Sequence, residues 1–113
     1  MAGYPLTVRK GDTFKLNVWY LDSNDNPVNV TGYQASFTVW NKDVVVHRAS
    51  TTSGEVTAGL GGYAIVVDDA VTEAWPSNCW YEFREKDASG SVMTLLEDTL
   101  DVTGSIRDGE FVV

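Results

Sequence analysis

The sequence predicts an all-β antiparallel sandwich, on three observations. Apolar and polar residues alternate with a period of two through most of the chain. Turn-forming clusters of Asn, Asp, Gly and Pro recur at intervals of about 8 to 12 residues. Only one short stretch, following Asp68-Asp69, carries a helical spacing.

The elements follow in order. Leu6–Arg9 is a short first strand, ended by the turn Lys10-Gly11-Asp12. Over residues 13–21, Phe14, Leu16, Val18 and Tyr20 share one face, while Lys15, Asn17 and Trp19 share the other, the signature of a half-buried strand. Residues 22–27, Asp-Ser-Asn-Asp-Asn-Pro, close Asx-turns and tolerate positive φ, so the chain reverses there. After a crossing at residues 28–32, residues 33–40 alternate again. Tyr33, Ala35, Phe37 and Val39 oppose Gln34, Ser36, Thr38 and Trp40. Asn41-Lys42-Asp43 turns into a strand over residues 44–48.

Residues 49–61 read as loop with one short weak strand, and residues 62–67 as a buried strand. Asp68-Asp69 are placed to cap a helical turn whose Val71 and Trp75 lie on one face, and Pro76 ends it. In residues 78–86, Cys79, Tyr81 and Phe83 alternate with Trp80, Glu82, Arg84 and Lys86. The hairpin turn Asp87-Ala88-Ser89-Gly90 leads into a last strand over residues 91–103. Seven or eight short strands in this arrangement predict an immunoglobulin-like sandwich with one short helical turn.

At 113 residues the chain is long enough for one domain, with residues 1–7 and 105–113 as arms, and a domain of this size buries about two-thirds of its unfolded surface. Sixteen acidic against eight basic residues give a charge of −8, with Lys and Arg scattered rather than striped, which excludes binding nucleic acid by phosphate neutralisation. No stretch approaches the ~18 apolar residues that span a bilayer, and the N-terminus has no apolar signal core, so neither a membrane nor export by a leader is expected.

Chemistry-bearing constellations are sparse. Cys79 is the sole cysteine and His47 the sole histidine, so an intrachain disulfide is impossible, and both read as structural strand residues rather than a nucleophile and its base. The Asp22 to Asn26 cluster lacks the central Gly and closing Glu of a calcium loop. Asp68, Asp69 and Glu73 read as helix-start charges. Gly54, Gly59, Gly61 and Gly62 lack the Lys-Ser/Thr and helix of a phosphate loop and read as turn and bulge residues. Asn29-Val30-Thr31 fits a glycosylation sequon only by accident, absent a signal peptide. The expectation is a non-enzyme without cofactor or metal.

The order DTFKLNVWYLD, NPVNVTGY, SFTVW, GGYAIVV, a short acidic helix, WYEFREKDASG and TLLEDTLDVTG resembles the N-terminal domain of tailed-phage baseplate upper proteins and related immunoglobulin-like virion modules. The likeness spans about residues 8–104. Asp98 stands where the family pattern has Gly, and a one-domain version without that family's stalk and effector domains is expected. The resemblance implies a structural part of a phage particle, made in the host cytoplasm: a capsid decoration, head-tail or tail and baseplate accessory subunit. Its implied partners are other virion proteins, and it is implied to be a homo-oligomer or to be present in many copies.

The tryptophans supply the candidate surface. Trp19, Trp40 and Trp80 all fall on the polar parity of their strands, and antiparallel pairing of residues 33–40 with 78–86 would bring Trp40 beside Trp80. Each large aromatic left in water forgoes about 2 to 3 kcal/mol of burial, so these three are expected to anchor an interface. The apolar tail Phe111-Val112-Val113 is the expected donor arm, by strand addition to its own domain or a neighbour. The competing expectation is a carbohydrate-binding module in which the same tryptophans stack on sugar rings.

Overall fold

The computed structural model describes residues 3–104. Eight strands and one helical turn occupy them: β1 (Leu6–Arg9), β2 (Phe14–Trp19), β3 (Gln34–Asn41), β4 (Val44–Ser50), β5 (Val56–Gly59), β6 (Gly62–Val67), α1 (Asp69–Thr72), β7 (Cys79–Lys86) and β8 (Val92–Thr103). They form two sheets, one of five strands in the order β1-β8-β7-β3-β4 and one of three in the order β2-β6-β5. All neighbours are antiparallel except β1 and β8. This is the strand order of an immunoglobulin-like sandwich, with the first strand carried across to pair in parallel with the last.

The core lies between the sheets and is built from the alternating faces. Phe14, Ile65, Val67, Val56 and Tyr63 of the small sheet oppose Val39, Phe37, Tyr81, Phe83 and Leu100 of the large one, all buried. Aromatic stacking ties the layers together. The Phe14 and Phe37 rings lie 5.4 Å apart across the interior, and Phe37 stacks in turn on Tyr81 at 5.3 Å.

Trp75 is buried beyond α1, with its ring 6.1 Å from those of both Phe14 and His47. The helical turn is held by Thr72, whose hydroxyl donates to the Asp12 carbonyl at 2.7 Å. Asp68 is the N-cap residue as expected, but its side chain makes no capping hydrogen bond. The turn is therefore stabilised by packing and by Thr72 rather than by the cap.

The expected loop over residues 49–61 is more ordered than its composition implies. β4 runs on to Ser50, a knot of hydrogen bonds between Ser50 and Ser53 closes the next turn, and β5 pairs with β6 over residues 56–59.

Two bulges reset side-chain parity. The β3–β4 register shifts between Val39 and Trp40, so that His47 opposes Val39 on the inner face while Val45 opposes Trp40 on the outer face. The β7–β8 register shifts between Phe83 and Arg84.

Candidate functional site

Trp40 and Trp80 stand directly opposite one another on β3 and β7. Both point away from the core, because their strand neighbours Val39, Tyr81 and Cys79 take the inward parity and are buried. On the flanking strands, Val45 sits opposite Trp40 and Thr99 opposite Trp80, so one row crosses the outer face as Val45, Trp40, Trp80 and Thr99.

Trp80 is 53% exposed, Val45 42% and its neighbour Val44 65%, while Trp40 is half-buried. A shallow cleft of ≈ 460 Å³ opens beside Trp80, between the ends of β7 and β8. The Asn41 side-chain amide locks this end of the sheet by donating to the carbonyls of Ser77 (3.2 Å) and Asn78 (3.4 Å), which fixes β3 against the entry of β7.

The middle of the same face is polar, and the exposed Val92 stands at its far end opposite Lys86. Arg48 Nε donates to the Thr38 hydroxyl at 3.1 Å, and Arg84 Nε lies 4.0 Å from Glu82. The face thus has an apolar aromatic end bordered by charged and hydroxyl side chains.

Gly3 and Tyr4, described residues ahead of β1, lie away from the Trp40–Trp80 pair. The Tyr81 hydroxyl donates to the Tyr4 carbonyl, and Gly3 lies against the Asp98 carboxylate, so the chain enters along the inner edge of β8. Phe111, Val112 and Val113 lie outside the described residues.

Trp19 occupies the outer face of the other sheet and is 75% exposed. It is therefore separate from the Trp40–Trp80 pair, and the three tryptophans do not form one surface. Trp75, the fourth, is core.

His47, Cys79, Tyr63 and Glu85 are engaged in structure. His47 Nε2 lies 2.8 Å from Glu55 Oε2, and its ring rests against Trp75. Cys79 is buried, its thiol points at the Pro76 carbonyl at 3.1 Å, and burial raises its pKa, which suppresses the thiolate. Between the sheets, the Tyr63 hydroxyl donates to Glu85 Oε1; burial first, and that hydrogen bond second, push the phenol's pKa upward. Among the described residues no three His, Cys, Asp or Glu side chains are grouped to hold a metal ion. The Asp22 to Asn26 cluster closes a turn instead, with the Asp22 carboxylate accepting from the backbone N–H groups of Asn24 and Asn26.

No protein-family model matches the chain, and no curated protein matches it either.

The pairing of Trp40 with Trp80 was legible from strand parity together with the antiparallel pairing expected of residues 33–40 and 78–86. The contribution of Val45 was not, because it depends on the bulge in β4 that separates it from the inward parity of His47. Three consecutive valines offer no alternation from which to place a bulge.

Proposed function

We propose that this protein is a non-catalytic docking module that binds another protein through the Trp40–Trp80 end of its five-stranded sheet. Its setting would be a tailed-phage particle, in which it is a many-copy structural subunit. The observation that carries the docking half is the row Val45, Trp40, Trp80 and Thr99, an aromatic pair held in register on the solvent side of the sheet. Aromatic side chains at the centre of a polar-rimmed patch are what hot spots are made of. The phage setting rests on the resemblance of residues 8–104 to baseplate upper proteins.

The charged remainder of the face would set orientation. Arg48, Glu82 and Arg84 lie within the same sheet surface and would meet complementary charges at the rim, where they govern encounter more than affinity.

The test is light scattering and virion binding for the wild type and for Trp80→Ala combined with Val45→Ser. Both positions are exposed, so the variant keeps its fold, checked by circular dichroism. The expected result is a wild type that self-associates or binds purified virion proteins, and a variant that loses this at least tenfold. A wild type that stays monomeric and binds no virion protein would defeat the reading.

A further inference from the structure

We infer that the outer face of the three-stranded sheet carries a second, independent site, a shallow groove in which the Trp19 indole stacks on an uncharged hexopyranose. Three strands contribute one row, in which Trp19 pairs with Gly62 and Gly62 with Gly59. The row beside it is Asn17, Ala64 and Thr57. A groove of ≈ 280 Å³ lies over these two rows, walled by the indole and floored by glycine and alanine, with Leu60 at its end.

Gly59 is the telling residue. Gly62 is required by the backbone: its φ is +135°, and a Cβ there would lie 1.9 Å from the Val18 carbonyl oxygen. Gly59 has neither constraint, since its φ is not positive and a Cβ would meet nothing within 4 Å. Among the described glycines it alone has neither a positive φ nor a close neighbour. Gly59 ends β5 beside the hairpin turn, and a strand-end glycine that neither φ nor a neighbour demands leaves the backbone open to close approach. What the missing side chain leaves open is the floor of the groove facing Trp19.

The lining selects the ligand class. An exposed indole offers a flat apolar platform to the C–H face of a pyranose ring. In the adjacent row the Asn17 amide and Thr57 hydroxyl, neither hydrogen-bonded to another described residue, are available to ring hydroxyls. The volume suits one small ring, since pockets for drug-sized ligands start at about 300 Å³, whereas a protein partner needs about 800 Å² of surface on each side. A chain charge of −8 disfavours phosphorylated or sialylated ligands over neutral ones.

The site is tested by NMR titration of the full chain with methyl β-glucopyranoside, methyl β-galactopyranoside, methyl α-mannopyranoside and the trisaccharides of each sugar, with sialyllactose as the charged arm. At least one neutral sugar is expected to shift the Trp19 indole N–H together with the Gly59 and Gly62 amides, with a millimolar Kd. Trp19→Ala should weaken binding at least tenfold. Gly59→Val, which adds a strand-favouring side chain in open space, should keep the fold and abolish the shifts. Trp80→Ala should titrate as the wild type, so failure here is separable from failure of the docking face. No response at Trp19 to any neutral sugar, a response to sialyllactose alone, or a Gly59→Val titration matching the wild type would each overturn the inference.

Discussion

The Tyr63 hydroxyl donates a 2.5 Å hydrogen bond to the Glu85 carboxylate inside the sandwich, where Tyr63 is 3% and Glu85 5% exposed. Glu85 follows Cys79, Tyr81 and Phe83 on the inward parity of β7, so the strand places a carboxylate where its pattern calls for an apolar residue. The Tyr63 phenol, reaching across from β6, is what makes that placement tolerable.

Removing one member of this pair leaves the other buried without its partner. Tyr63→Phe should therefore cost about 1 to 3 kcal/mol of stability, read as a lower urea midpoint with an unchanged slope. Tyr63→Phe combined with Glu85→Leu should recover most of the loss, because no polar group is then left unmatched. A double variant as weak as the sum of the two single ones would show that the pair is not coupled.

Alkaline pH should destabilise the fold through its tyrosines. Burial, reinforced by the Asp98 charge, pushes the Tyr81 pKa up to about 12, and burial also raises those of Tyr63 and Tyr20. Above the ordinary tyrosine value of about 10 the unfolded chain gives up protons that the folded chain retains, so stability falls as pH rises. It is fully present below pH ~10 and lost progressively toward pH ~12 for Tyr81. Thermal melts from pH 8 to 11.5 should show the decline, and Tyr81→Phe should flatten part of it.

Trp75 should prove more important for volume than for hydrogen bonding. It is 1% exposed, packs between Phe14 and His47, and its buried indole N–H has no partner among the described residues. Trp75→Ala should cost about 3 to 5 kcal/mol, whereas Trp75→Phe, which keeps a ring and sacrifices no hydrogen bond, should cost less than half as much. Denaturant melts of the two variants make the comparison.

The glycines of the β5–β6 hairpin should behave oppositely. Gly62→Ala forces a Cβ against the Val18 carbonyl at a φ that L-residues avoid, and should cost at least ~2 kcal/mol. Gly59→Ala meets only open space and should be neutral or slightly stabilising. Matched thermal melts would decide, and equal losses at both positions would contradict the geometry.

Sequence parity alone was enough to place Phe14, Phe37, Tyr81 and Phe83 inside, because a two-residue period with one buried face leaves a strand little choice of orientation. The same rule, with the antiparallel pairing expected of residues 33–40 and 78–86, put Trp40 beside Trp80. The bounds of β1 and β6, and all but one residue of β7 and β8, followed from turn chemistry at Lys10-Gly11, Asp68 and the Asp87 to Gly90 hairpin. That hairpin is pinned by the Asp87 carboxylate accepting from the N–H groups of Ser89 and Ser91.

What the chain could not reveal locally depends on pairs far apart in sequence. The bulge that turns Val45 outward and His47 inward exists only in the register between β3 and β4. The inward Glu85 has meaning only once Tyr63 stands 22 positions away with its hydroxyl in reach. Gly59 reads as an ordinary loop glycine until β2, β6 and β5 are laid side by side, when it becomes the floor opposite Trp19. Periodicity determines which face of a strand is buried. Which side chains meet across strands is decided by register and bulges, and these follow from the packing of the whole sandwich.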